Sequence, residues 1–354
     1  MKFTHETLPQ RVTFANGEGP AAAAEEIGLL QGRRVMLIAS IHDAEIADPF
    51  GDALPVTVRH GEVVMHVPVE VAERARLVAA EHRVDVLVSV GGGSTTGLAK
   101  AVAMTTGLPI VAVPTTYAGS EATNAWGLTE PGPEAGNKTT GVDEKVLPAS
   151  IVYDASLLTS LPGDMTVASG LNAMAHCVDA MWGPRVDPID QALAGEGIRG
   201  LATGLPAVAA DPAGTDGIEQ TLYGAYLAAV AFASAGSGMH HKICHVLGGM
   251  FNVPHAQTHA VVLPHVLAFN APHAPVVERR IARAFEAVTA TEGLRSLRES
   301  LDAPRALKDY GMPEDGIAKA VDPILAVIPA NNPTPVTPEN LTALLRAACE
   351  GDLP

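Results

Sequence analysis

The chain has 354 residues, 39 Asp and Glu against 23 Lys and Arg for a net charge of −16, and 47% hydrophobic residues. It is too apolar for disorder and longer than the about 250–300 residues at which single cores stop growing, so two domains are expected. The acidic balance, with no cluster of Lys or Arg, speaks against a nucleic-acid partner.

Cys177, Cys244 and Cys349 are odd in number, widely spaced and without a CxxC pair, so no disulfide framework or thiolate zinc site is expected and a cytoplasmic setting fits. Met1 to Pro20 has no basic segment followed by an apolar run, as a secretory signal would.

Short apolar runs alternate with helical patterns through the first half. Residues 34–40 (RVMLIAS) read as a strand, 69–82 as a helix, 85–90 as a strand, 98–105 as a helix and 109–113 as a strand ended by Pro114. Near-continuous Val/Ile/Leu runs between helices are what a parallel sheet covered on both faces needs, so this part reads as α/β. Residues 123–147, rich in Gly, Pro, Thr and Asn, suggest a loop or hairpin, and 150–154 a returning strand. Asp164 in Leu-Pro-Gly-Asp is a candidate N-cap, after which the pattern is helical to Glu350. The expected domains are 1–158, binding a dinucleotide, and 159–354, all-α, with the boundary near 155–163. Thr221 to Met239 carries no formal charge over 19 residues, but its Ala, Gly and Ser content suits a buried core helix better than a membrane span.

Two loops at successive strand ends carry the first functional signal. Gly91, Gly92 and Gly93 let backbone approach a ligand, and the following helix start offers N–H groups and a positive dipole end to a pyrophosphate. The spacing, with the next glycine at Gly97, is neither GxGxxG nor a P-loop. Thr115, Thr116 and Ser120 follow the next strand, where open α/β sheets bind ligands, and Lys138 is placed to reach a ribose or phosphate.

Six of thirteen histidines fall between His240 and His265, and residues 220–277 hold one formal charge, Lys242, in 58 positions. Imidazoles in such an apolar stretch are expected to become cationic around an anionic small molecule. His241 and His245 are one helical turn apart, His255 follows a Pro turn, and Asn172 and His176 form a second i, i+4 pair. His259, His265 and His273 read as core or surface fillers.

The succession GGGSTTGLAKAVA, PTTYAGSEATN, Lys138, VLPASIVYDASLLTSLP, ASGLNAMAH and HHKICHVLGGMFNVPHAQTHAVVLPHVLAFN resembles the iron-containing alcohol dehydrogenase superfamily over nearly the whole chain. The resemblance implies the dehydroquinate synthase-like architecture, an α/β dinucleotide domain followed by a helical one. It also implies NAD(P) contacts from Gly92, Gly93, Ser94, Thr115, Thr116, Ser120 and Lys138. The superfamily's metal ligands are an Asp, a His four residues on, and two His fourteen residues apart. Here those positions are Asn172, His176, His241 and His255, with His245 matching a further pocket histidine.

The exchange of Asp for Asn172 is similar to the maleylacetate reductase branch, as are GVDEKVLPASIVYD and AMAHCVDAMW. That likeness implies reduction of maleylacetate to 3-oxoadipate in aromatic catabolism, a small dicarboxylate substrate, no metal and a homodimer. On this reading a cationic His241 or His245 replaces the metal's charge at the developing enolate, while Lys242, Asn172 and the other imidazoles hold the carboxylates. Ser40 stands where NAD-selective relatives carry an acidic residue, which leaves room for NADPH beside NADH. A metal-dependent alcohol dehydrogenase or aldehyde reductase is the alternative, and a lyase of the dehydroquinate synthase type or a non-catalytic nucleotide-binding module stands further off.

Overall fold

The computed structural model describes residues 1–130 and 137–354, with the side chains of Asn137 and Lys138 also outside the description. The chain forms two compact units, one of residues 8–161 and one of residues 1–7 with 162–354.

The first unit contains strands β1 (Arg11–Phe14), β2 (Val35–Ile38), β3 (Val56–His60), β4 (Val86–Gly91), β5 (Ile110–Pro114), β6 (Ala125–Glu130), β7 (Asn137–Val142) and β8 (Ser150–Tyr153). Six of them make an all-parallel sheet in the order β1-β8-β5-β4-β2-β3, and β6 and β7 pair as an antiparallel hairpin. Helices α1 (Gly19–Leu29), α2 (Ala44–Ala53), α3 (Val69–Glu81) and α4 (Gly93–Thr106) complete the unit. Alternation along the strands divides the core in two. Met36, Ile38, Leu87, Ile110 and Ala112 pack with Val71, Ala72, Ala75, Leu98 and Val102 of α3 and α4. Val35, Leu37, Val86, Val88, Val111 and Val113 pack with Ala23, Ile27, Ala47 and Phe50 of α1 and α2. Both sheet faces are therefore covered, which is why β2, β4 and β5 read as unbroken apolar runs.

Strands β1 and β3 and helices α1 and α2 go beyond what the sequence patterns announce. Both strands are sheet edges with partly exposed residues, and neither carries a continuous apolar run. Helix α4 begins at Gly93, five residues before its apolar periodicity starts at Leu98, because Thr95 and Thr96 already donate their N–H groups to the Gly92 carbonyl.

The second unit is built from nine α-helices among its described residues: α5 (Gly163–Ala180), α6 (Pro188–Ala210), α7 (Thr215–Ala235), α8 (Met239–Phe251), α9 (His255–Asn270), α10 (Pro275–Ala284), α11 (Ala290–Ser300), α12 (Gly316–Leu325) and α13 (Pro338–Glu350). Pro162, rather than Asp164, occupies the N-cap of α5; the Asp164 carboxylate lies in the first turn and accepts from the adjacent Met165 N–H at 2.8 Å. Buried continuously from Ala168 to Ala180, α5 is the unit's central helix. Helices α6 and α7 approach backbone to backbone: a Cβ on Gly204 would stand 2.7 Å from the Thr221 nitrogen.

Among the described residues, no single helix is long and apolar enough to cross a membrane. The neutral stretch after Thr221 lies in α7 and in the 96° bend to α8, where Gly236 takes φ +82°. Below the bend, Ile243, Leu247, Val262, Val266, Ile324 and Leu345 of α8, α9, α12 and α13 form a common core.

Candidate functional site

The α/β unit presents its ligand-facing groups at the carboxyl ends of β4 and β5, which are adjacent strands in register to Gly91 and Pro114. Gly91 has φ +151°, and a Cβ there would meet Thr95 Oγ1 at 2.4 Å, so glycine is required for the strand to turn directly into α4. Gly92, Gly93 and Ser94 are half-buried. No side chain caps α4 and no acidic residue lies in its first turn, so the positive end of its dipole is available to an anion.

Beside it, Thr115 is buried and donates its N–H to the Gly91 carbonyl at 3.2 Å. Thr116 Oγ1 is buried without a hydrogen-bond partner among the described residues, and Ser120 is half-buried. The loop is held from beneath by Lys100, which is fully buried. Its Nζ donates to the carbonyls of Ser120 (2.6 Å), Thr123 (2.8 Å) and Ala125 (2.8 Å). Burial pushes the Lys100 ammonium down to about 7, against the pull of Glu121. Glu121 is itself buried, raised by desolvation, and accepts from Tyr153 Oη at 2.8 Å.

Ser40 follows β2, which flanks β4 on the other side. Its hydroxyl donates to Asp43 Oδ2 at 2.5 Å and accepts from the Asp43 N–H at 3.2 Å. A carboxylate thus does stand at this strand end, three residues on. The Lys138 side chain lies outside the described residues.

In the helical unit six imidazoles form one contiguous group. It runs from exposed His255 and half-buried His245 to buried His259, His241, His240 and His176. Ring centroids lie 4.4 Å apart for His255–His259, 4.7 Å for His241–His259 and 4.8 Å for His176–His241. His240 and His259 share a hydrogen bond of 2.9 Å. His241 Nδ1 lies 2.8 Å from Asp179 Oδ2, a carboxylate fully buried on α5. Asn172 Oδ1, His176 Nδ1 and His241 Nε2 are buried with no hydrogen-bond partner among the described residues, an expensive arrangement that a polar ligand would relieve.

Electrostatics set the starting point for the expected imidazolium. Burial pushes His176 and His240 down to about 3 and His241 and His259 well below the usual range, and neighbouring rings push the same way. Low dielectric disfavours the charged form, and six rings crowded together cannot all hold protons. His176, His240, His241 and His259 are therefore held neutral. Asp179 is pushed up to about 7 by burial, with the N–H groups of His241, Gly238 and His240 pulling the other way.

A family model for iron-containing alcohol dehydrogenases matches residues 9–155, and one for the C-terminal part of the Fe-containing alcohol dehydrogenase family matches residues 166–349. The chain belongs to the iron-containing alcohol dehydrogenase family. It is 44% identical to a maleylacetate reductase of Sphingobium indicum, over 99% of this chain and 98% of that one. An iron-containing alcohol dehydrogenase from Corynebacterium glutamicum, known by crystal structure, superposes with TM-score 0.96 at 59% identity, covering 99% of this chain and 98% of the other. A maleylacetate reductase structure from Agrobacterium tumefaciens gives TM-score 0.93 at 36% identity, with both chains fully covered.

The family's metal position can be tested against these residues. His176 and His241 are stacked 10° from parallel, so lone pairs in their ring planes run side by side rather than toward one point. Nitrogens that do lie within 4.8 Å of one another belong to His240, His241 and His259, and two of these are already bonded together. Neither set includes a carboxylate, and Asn172 is neutral. As arranged, the residues do not make the family's cage of three imidazoles and a carboxylate.

Of the residues singled out in the sequence, Asn172, His176, His241, His245 and His255 lie on or beside this group, and Lys242 is half-buried on α8. His259, expected to be a filler, lies at its centre, and His240 is bonded to it. Asp179 and Lys100 escaped notice as well. The signal for Asp179 was its place on the Asn172–His176 helix, three residues beyond His176; Lys100 reads like any helix lysine.

Proposed function

We propose that this NAD(P)H-dependent oxidoreductase reduces the carbon–carbon double bond of maleylacetate to 3-oxoadipate in aromatic catabolism, with NADH as the hydride donor and without a metal. The full-length match to a maleylacetate reductase carries the reading, and the neutral Asn172 among imidazoles agrees with it. A cytoplasmic homodimer belongs to the same reading by family resemblance.

In the α/β unit, the N-terminus of α4 with Gly92, Gly93 and Ser94 takes the pyrophosphate, while Thr115, Thr116 and Ser120 face the nicotinamide side. Asp43 beside Ser40 accepts ribose hydroxyls and disfavours a 2′-phosphate, which selects NADH over NADPH.

Hydride adds to the alkene carbon β to the ketone, and the displaced electron pair becomes an enolate. Stabilising that charge is the protein's main task. Lys242, Asn172 and the outer imidazoles hold the carboxylates. The bound dianion brings negative charge to the cluster, raises the rings' affinity for protons, and lets His241 or His245 donate to the enolate. His176 and His255 complete the surroundings of that donor.

Loss of NADH absorbance with maleylacetate, with and without chelator, and against a panel of small alcohols and aldehydes, tests the proposal. Chelator-resistant turnover of maleylacetate alone is expected. The Corynebacterium relative favours a second reading, a metal-dependent alcohol dehydrogenase or aldehyde reductase. Activity on alcohols that chelator abolishes and Fe²⁺ or Zn²⁺ restores would replace the first reading with that one.

A further inference from the structure

Asp179 lies three residues beyond His176 on α5 and is fully buried. Its Oδ2 accepts the N–H of Gly238 at 2.8 Å and of His241 at 3.3 Å, and its Oδ1 accepts that of His240 at 3.3 Å. Helix α8 has Gly238 at its N-cap and no capping side chain of its own, so a carboxylate 59 residues earlier in the chain satisfies its first donors. Capping alone requires only those backbone contacts. The carboxylate makes a further one, at 2.8 Å, to the Nδ1 of His241.

Three backbone N–H groups already donate to this carboxyl, an environment that holds it as an acceptor, so the contact places the ring proton of neutral His241 on Nδ1. The other nitrogen, Nε2, is buried and has no partner among the described residues. Stacking against His176 and a centroid distance of 4.2 Å to Phe232 restrict rotation of the ring.

We propose that Asp179 is a positioning residue for the reduction: it fixes the tautomer and orientation of His241 so that Nε2 is the atom through which the proton reaches substrate. The inference rests on the reading that His241 serves the reduction. Hydride from NADH forms the new C–H bond at the β-carbon, and the alkene electron pair moves into the enolate. A proton held on Nε2 ends on the substrate, and water returns one to the ring. Throughout, Nδ1–H stays with Asp179.

The test compares Asp179→Asn, Asp179→Glu, His241→Gln and the Asp179→Asn/His241→Gln double variant in NADH-dependent maleylacetate reduction. It is joined by long-range ¹H–¹⁵N spectra of protein labelled in its histidine rings. Asp179→Asn is expected to lose about 10- to 100-fold in kcat, as outer-sphere partners of working histidines do, with KM for NADH unmoved. Asp179→Glu should recover part of the loss, and the double variant should be no slower than His241→Gln. The ring signal missing from His241→Gln should show Nδ1 protonated in the wild type, and should lose that signature in Asp179→Asn.

An equal loss from Asp179→Asn in both backgrounds, or a His241 ring protonated at Nε2 in the wild type, would overturn the inference. Wild-type kcat in His241→Gln would instead sink the reading of the site, while the spectra still decide the tautomer. Should Asp179→Asn fail to fold, the wild-type and Asp179→Glu spectra carry the decision.

Discussion

The two units build their sites from different materials. At the ends of β4 and β5 the groups that can meet a ligand are backbone N–H groups and short hydroxyls, fixed by the sheet that precedes them. In the helical unit they are side chains from α5, α8 and α9, brought together by packing. A backbone site is rigid because its strands are rigid, and it needs little more than absent side chains at Gly91 to Gly93. A side-chain site is adjustable in charge, because each imidazole's proton affinity depends on its neighbours. The first suits a constant anion, the second a chemical step.

Replacing a working imidazole tests that contrast most sharply. His241→Gln, which keeps some volume and polarity, should lower kcat by about 10²- to 10⁴-fold, the usual range for a general acid, while NADH affinity measured by fluorescence titration stays unchanged. Equal losses in NADH affinity and kcat would mean that the division of labour is wrong.

Acid should undermine the helical unit first. His176 and His240 are held at about 3 in the fold, against an ordinary value of 6.5. As pH falls below 6.5 the unfolded chain takes up protons that the native rings refuse, so stability is full above that pH and declines steadily toward 3. Each such ring contributes a slope of about 1.4 kcal/mol per pH unit across the window. Urea midpoints between pH 7.5 and 4 provide the check, and a flat profile would contradict buried neutral rings.

Lys100 is the α/β unit's counterpart, a buried amine serving as an internal tie. Lys100→Met leaves three loop carbonyls without their donor, so kcat/KM for NADH should fall by about 10- to 100-fold through misplacement of Thr115, Thr116 and Ser120. Steady-state kinetics at saturating maleylacetate measure it. An unchanged KM for NADH would show that the tie serves the fold alone.

Legibility in the sequence follows the same division. The buried strands announce themselves because both faces are covered, and the anion loop because only glycine can turn as Gly91 does. Edge strands β1 and β3 stay silent, since half of each faces away from the core. In the helical unit, i, i+4 spacing found Asn172 with His176 and His241 with His245, because one helix turn is a local fact. It could not find His259 or Asp179, whose roles arise only when α9 and α5 come against α8. Nor could residue type alone give the sign of the charge: counting histidines suggested cations, and burial makes them neutral.

Asp43 offers the finest probe of the backbone site, because its effect is one of selectivity alone. Ile38 at the end of β2 pairs with Ser89 of β4, two residues before Gly91, so the Ser40–Asp43 pair and the anion loop leave the sheet at neighbouring points. Residues 39–48 contain no Lys or Arg, and the nearby Arg59 is paired with Asp48. Nothing on this segment would neutralise a 2′-phosphate brought beside the Asp43 carboxylate, while a ribose hydroxyl could donate to it. Asp43→Ser should narrow the preference for NADH over NADPH by about tenfold, or about 1.4 kcal/mol, seen as converging dissociation constants with kcat for NADH retained. Wild-type protein that binds both cofactors equally would leave the carboxylate as a hydrogen-bond partner of Ser40 and nothing more.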